Sequence, residues 1–170
     1  RVCEHTLAPA LQLCCARGLV RSGWVEVPRL APPLPAARRV STCEKEYTVA
    51  LSQLQPLPDC NDIAPLLFGS FDIEVYSHDG SFPQARRPRD SIIQIGITLR
   101  RYGDETDAPR SLMLCLGHTD PVDGVELRVF HTEAALLGGF AAAVTEHDVD
   151  IMVGYNIFGF DLGYMAERAG

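Results

Sequence analysis

The run LLFGSFDIEVYS, residues 66–77, sets Asp72 and Glu74 two positions apart inside an otherwise apolar stretch. Its aromatic and β-branched residues favour a strand, where positions i and i+2 share a face. Asp72 and Glu74 therefore project together, while Phe71, Ile73 and Val75 pack the opposite way. Two ionised carboxylates about 6 Å apart at an effective dielectric near 20 repel by roughly 3 kcal/mol. A bound cation turns that penalty into an attraction, and burying the acids without one is costly.

The chain changes character near residue 65. Before it, short apolar pieces are broken by proline, most densely in VPRLAPPLPAARR, residues 27–39. GWVEVP and EYTVALSQL are strand candidates on either side, so residues 1–65 read as part of a small β-rich N-terminal domain. Trp24 reads as a core residue there. Residues 66–170 form a second domain with sharper signals. Strands are expected at Leu66 to Tyr76, at Ser91 to Arg100 and at Ser111 to Leu116, the second alternating Ile93, Ile95, Ile97 and Leu99 on one face. Thr132 is a good N-cap for a helix over Glu133 to His147, with Leu136, Leu137, Phe140, Ala141 and Val144 as its apolar face. Gly138 and Gly139 each weaken that helix by about 1 kcal/mol relative to Ala. A buried strand at Asp150 to Tyr155 and a helix at Phe160 to Ala169 complete the series. The order β, β, β, α, β, α predicts an α/β fold, a mixed sheet flanked by helices, with the last strand parallel to the first.

A composition of 46% hydrophobic and 22% charged residues is that of a globular chain. No apolar run approaches the roughly 20 residues that span a bilayer, so no membrane partner is expected. The net charge of −7 argues against binding nucleic acid through a broad basic surface. It leaves room for a site whose carboxylates hold divalent cations. The basic charge is nearly all Arg, densest at Arg86 to Arg89, which reads as a solvated loop ahead of a nucleic-acid contact. The six cysteines, five of them within the first 60 residues, have no zinc-like spacing and read as free thiols. The five histidines and the acidic loop at Asp104, Glu105 and Asp107 read as surface or satisfied positions. The start at Arg1 and the helical end predict a piece of a longer protein.

Asn156 and Asp161 in MVGYNIFGFDLGYM follow the last expected strand. Asp161 opens a helix, where the dipole favours an anion. If a right-handed crossover sets that strand beside the first, Asp161 comes next to Asp72. Hard oxygen ligands favour Mg²⁺ or Mn²⁺ over zinc. Three carboxylates would then suit two metals about 4 Å apart, the arrangement for in-line attack of water on a phosphodiester. On the residues alone, Asp72 and Glu74 also fit the wet face of an edge strand, with Asp161 a helix-start residue.

SFDIE and GYNIFGFD resemble the first and second exonuclease motifs of family B DNA polymerases, most similar to delta-type catalytic subunits and relatives in large DNA viruses. DGSFPQARRPRDSIIQIGIT is similar to the family's segment after the first motif, and HTEAALLGGFAAAVTEHDVDIMVGYN to the helix and strand before the second. GWVEVP and the run from STCEKEYTVAL to NDIAPLLFGSFDIE resemble the N-terminal domain and its junction, so the likeness covers most of the chain from about Gly23.

The resemblance implies a 3'→5' proofreading exonuclease on a ribonuclease-H-like fold, with Asp72, Glu74 and Asp161 as catalytic and metal-holding residues. It further implies two Mg²⁺ or Mn²⁺ ions, held by Asp72 and Asp161, with Glu74 on the metal that activates water. Asn156, Phe160 and Ile73 fall to the DNA strand, with core packing the rival reading for Phe160. Implied partners are the single-stranded 3' end of a primer-template, the polymerase palm and the remaining exonuclease segment, accessory subunits and a sliding clamp. The implied location is the nucleus or a viral replication site.

The chain also departs from the family pattern. A Tyr with Asp four residues later, the third motif, is absent: none of Tyr47, Tyr76, Tyr102, Tyr155 or Tyr164 has it. Gly163 stands where many relatives carry Pro. The fragment alone is therefore expected to be inactive, and a catalytically inert exonuclease-like structural or nucleic-acid-binding module stays as the alternative.

Overall fold

The computed structural model describes residues 7–103, 106 and 108–170. Cys3, His5 and the acidic positions Asp104, Glu105 and Asp107 lie outside them. The chain divides into two units, Arg1–Asp62 and Ile63–Gly170.

In the first unit, helix α1 (Pro9–Arg17) begins with Pro in its first turn and ends at Gly18, whose φ of 65° lets its N–H reach the Cys14 carbonyl. Strands β1 (Val25–Glu26) and β2 (Gln55–Pro56) pair antiparallel. The strand expected in EYTVALSQL does not form. Its backbone is claimed locally: the Gln53 side chain accepts from Ala50 N, and Leu51–Gln53 turns as a 3₁₀ helix. Glu46, from the same run, accepts from the N–H of Ser41 at 2.9 Å and of Val40 at 3.1 Å. Trp24, expected in a core, is 42% exposed, with its indole N–H donated to the Asp62 carbonyl.

The second unit contains β3 (Leu67–Tyr76), β4 (Ser91–Arg101), β5 (Arg110–Leu116), β6 (Val125–Phe130), α2 (Glu133–Glu146), β7 (Ile151–Val153) and α3 (Asp161–Ala169). Its sheet runs β6-β5-β4-β3-β7. The β3–β4 and β4–β5 pairs are antiparallel, and the β5–β6 and β3–β7 pairs parallel. The expected mixed sheet with its last strand parallel to the first is present. Strand β6 is an addition that the sequence signals did not reveal. It is an edge strand of half-buried and exposed residues, so its apolar alternation is weak.

Alternation along β3 is complete: Gly69, Phe71 and Ile73 are buried, Ser70, Asp72 and Glu74 exposed. The buried face joins Ile95, Ile97, Leu112 and Leu114 to Leu136 of α2 and to Tyr164 and Met165 of α3. Helices therefore cover one face of the sheet, and the acids stand on the other. On β4 the phase slips at a bulge, where Glu74 faces Gln94 but Val75 faces Ile92. Ile92 is then wholly buried and Ile93 is 37% exposed, which reverses the expectation for Ile93. In α2, Thr132 caps the N–H of Ala135 as expected. The odd glycine pair has a partial reason: a Cβ on Gly139 would lie 2.2 Å from the Phe130 ring, whereas Gly138 faces open space.

Candidate active site

The site forms where β7 leaves the sheet. Strand β7 pairs with β3 only over Phe68–Ser70, so from Phe71 onward the β3 edge on that side is free. The chain can turn away there because residue 154 is glycine. A Cβ at Gly154 would sit 2.6 Å from the Phe71 carbonyl oxygen and 2.3 Å from Ile157 Cγ2. Ile157 plugs the turn at 5% exposure. Asn156 takes a left-handed φ of 53°, and its carbonyl accepts from Gly159 N at 2.8 Å and Phe160 N at 3.1 Å. Its carboxamide lies over Gly159, where a Cβ would meet Oδ1 at 2.2 Å. The two glycines of the turn are thus places of close approach.

That turn delivers Asp161 to the first position of α3 and into the sheet edge. Asp161 is 2% exposed, and its Oδ1 accepts from Ile73 N at 3.2 Å. The carboxylate thereby satisfies an amide of β3 that β7 no longer reaches. Burial pushes the Asp161 carboxyl above its ordinary pKa. Its own N–H and that of Ile73 pull it down, and the neighbouring Asp72 pushes it up again by charge and by hydrogen bonding. Asp72 and Asp161 are therefore adjoining acids, one exposed and one buried, joined through a β3 strand held on both sides.

Glu74 is exposed on the same face, one pleat further along β3. Among the described residues, no three His, Cys, Asp or Glu side chains are grouped closely enough to hold a metal ion. The structure brings Asp72 and Asp161 together and leaves Glu74 beside them. The donor set is all oxygen, and Asp161 is held against Asp72 with its own backbone amide and that of Ile73 offsetting the repulsion. Both features fit a hard divalent cation at this pair.

The remaining expected residues divide. Asn156 is exposed and shapes the turn. Phe160 packs partly against the core, with ring centroids 5.3 Å from Tyr164 and 5.4 Å from the exposed Phe82. It also lines an open groove of about 440 Å³ with Phe82, Arg86 and Glu167. Ile73 has its side chain in the core at 6% exposure, because odd positions of β3 face the helices; only its N–H reaches the site. A second groove, of about 550 Å³, runs over the open sheet face past Asp72, Gly96, Thr98 and Met113 to Tyr155. Gly96 lies opposite Asp72 on β4, which leaves space above the carboxylate.

Sequence reasoning missed the residues that support this arrangement. Asp90 is fully buried and accepts from the backbone N–H of His78 and Gln84. Arg86 and Arg87, the core of the basic run, are paired with Glu167 and Asp79. Two of the partners of Asp90 are main-chain amides, which leave no mark on residue identity; the third is Arg87, whose Nη1 lies 3.7 Å from Asp90 Oδ2.

A mixed sheet is covered by helices on one face, and the exposed Asp72 on its other face adjoins Asp161, buried at the edge of β3; this arrangement suits a carboxylate-dependent nuclease. The family model for the DNA polymerase family B exonuclease domain matches residues 1–170. The chain is 34% identical over 165 residues to a DNA polymerase of Acanthamoeba polyphaga mimivirus, covering 97% of this chain and 9% of that protein. It is 36% identical over 152 residues to the DNA polymerase catalytic subunit of human herpesvirus 8, covering 89% and 15%. It is 31% identical over 154 residues to the DNA polymerase delta catalytic subunit of Schizosaccharomyces pombe, covering 89% and 14%. The chain belongs to the exonuclease domain of family B DNA polymerases, a metal-dependent nuclease domain with a ribonuclease-H-like fold. It spans less than a fifth of the length of these relatives.

Proposed function

We propose that the chain is the 3'→5' proofreading segment of a longer replicative family B DNA polymerase, acting on the single-stranded 3' end of DNA. The observation that carries this reading is the Asp161 carboxylate, fixed by Ile73 N–H and set against Asp72. Asp72, Glu74 and Asp161 would hold two Mg²⁺ or Mn²⁺ ions, which supply charge stabilisation and an activated water when bound. Asp161 contributes a carboxylate that cannot swing away, since its other contacts are backbone amides on two elements. Asn156 holds the turn, and Phe160 offers its ring to the DNA strand beside the acids. Ile73 acts through its N–H, keeping Asp161 in register with Asp72. The polymerase palm, the remaining exonuclease segment, accessory subunits and a sliding clamp are the partners this reading carries, and the nucleus or a viral replication site is its location. No helix among the described residues is long and apolar enough to cross a membrane.

Replacing Asp72 and Glu74 with Ala in the full-length polymerase should abolish mismatch excision and leave primer extension intact. Retained excision would sink the reading. One observation favours the alternative of an inert exonuclease-like structural or nucleic-acid-binding module: the described residues gather two acids tightly and not three. Titrating Mn²⁺ into the polymerase separates the two, because the inert module binds no cation that the Asp72 and Glu74 substitutions remove.

A further inference from the structure

Residues 77–90, between β3 and β4, form a loop that is fastened from several sides. At its end, Asp90 accepts from His78 N at 3.3 Å and from Gln84 N at 3.0 Å, while its carbonyl accepts from the Tyr164 hydroxyl at 2.8 Å. At its middle, Arg168 Nη1 donates to the carbonyls of Ala85 at 3.1 Å and Arg87 at 3.3 Å. The rest of that guanidinium is spent on Glu133: Nε donates to Oε1 at 2.9 Å and Nη2 to Oε2. Glu133 Oε1 also accepts from Ile92 N at 2.9 Å, just after the loop. Both side chains are largely buried, at 16% and 15% exposure.

A buried ion pair is weak evidence for stability, since desolvating two charges offsets much of their attraction. Its geometry here is better accounted for by what it orients. The planar, forked guanidinium joins the first turn of α2, the last turn of α3 and two loop carbonyls at once. The loop so held carries Phe82 edge-on to Phe160, with centroids 5.4 Å apart and ring planes at 62°. Phe160 immediately precedes Asp161. Tyr164 and Arg168 are one turn apart on α3, so a single helix carries the buried acid at its start and the loop clamp at its end.

We propose that Glu133 and Arg168 are positioning residues that lock the 77–90 loop so that Phe82 holds the Phe160 ring in place for the DNA strand. They touch neither the strand nor the acids; they act through the loop and Phe160. This rests on the exonuclease reading above, and it adds a clamp outside the carboxylate site whose loss weakens capture of the strand while leaving the acids in place.

The test uses the full-length polymerase with Arg168→Met, which keeps the apolar stem, and Glu133→Gln, which keeps an acceptor for Ile92 N–H. For excision of a single-stranded oligonucleotide, each variant should raise KM, Arg168→Met by about tenfold, with kcat changed far less. Hydrogen exchange at Gln84 N–H should accelerate in both. In a Phe82→Ala background the Arg168→Met substitution should have no further effect on KM, because the ring it positions is gone. A fall in kcat at unchanged KM, or an equal KM effect with and without Phe82, overturns the proposal. Should Arg168→Met fail to fold, Glu133→Gln decides alone, and an unchanged KM in it overturns the proposal. An Asp72→Ala control separates the two levels. If it retains excision, the exonuclease reading fails, while unchanged exchange at Gln84 in the clamp variants refutes the clamp independently.

Discussion

Replacing Gly154 with Ala tests the geometry by which the chain leaves β7 and delivers Asp161. The new Cβ would lie 2.6 Å from the Phe71 carbonyl oxygen and 2.3 Å from Ile157 Cγ2. Both are well inside the 3.4 Å at which ordinary van der Waals contact begins, by 0.8 and 1.1 Å respectively. The Phe71 oxygen belongs to the backbone of β3, which is paired along its length with β4, and cannot yield without bending that strand. Ile157 is 5% exposed and has no open space to enter without leaving the core. Overpacking of this kind costs about 1–3 kcal/mol. Against this, exchanging Gly for Ala returns only about 0.4–1 kcal/mol through the unfolded state. Two clashes this deep fall in the upper half of the overpacking range, about 2–3 kcal/mol, so the net loss is about 1–2.6 kcal/mol, roughly 4–21 °C in Tm for a unit of this size. Gly163→Ala is the matched control, since its Cβ meets nothing within 4 Å and it lies in helix α3. It should raise Tm, because Ala is the better helix former. Thermal unfolding followed by circular dichroism reads both, and excision by the Gly154→Ala polymerase should fall with extension retained. A Gly154→Ala protein as stable as wild type would show that the turn is not held against Phe71, and the account of Asp161 placement would fail with it.

Two other substitutions test separate parts of the structure. Gly138→Ala should stabilise α2 by about 1 kcal/mol, whereas Gly139→Ala should be neutral or destabilising because Phe130 occupies its Cβ position; urea unfolding giving equal gains at both sites would contradict the packing of β6 on α2. Asp79 is held at a pKa of about 2, against the usual 3.8, chiefly by the Ser81 hydroxyl and N–H and by Arg87. A depressed acid stabilises the fold above its unfolded pKa and loses that contribution as pH falls through its folded value. The stability difference between wild type and Asp79→Asn should therefore be constant above about pH 4 and shrink toward pH 2; acid titration of the urea midpoint checks it, and a difference that grows on acidification would reverse the assignment.

The elements most legible in the sequence are those whose pattern is local. Strand β3 begins one residue from its expected start and ends where expected, and α2 begins where Thr132 predicts. Both rest on periodicity and capping read within a few residues of chain. The bulge at Glu74 and Val75 moved Ile93 out of the core, because register depends on the partner strand. Trp24 is exposed because its surroundings offer only two-residue strands to cover it. Strand β6 escaped notice because its place is at the sheet edge, where burial leaves little apolar signature.

The candidate site divides in the same way. Alternation alone put Asp72 and Glu74 on one face and Ile73 on the other, since that follows from the two-residue repeat of any strand. The sequence could say only conditionally that Asp161 meets Asp72; the hydrogen bond from Ile73 N to Asp161 spans 88 positions and exists because β7 pairs parallel with β3 and then stops. The clamp is a tertiary fact entirely. Glu133 and Arg168 are 35 positions apart, and Arg168 reaches loop carbonyls more than 80 positions back. Local propensity acts over a turn or a pleat, and such groups become neighbours only when the assembled sheet and its two helices bring distant backbone polar groups into a dry interior where they must find partners.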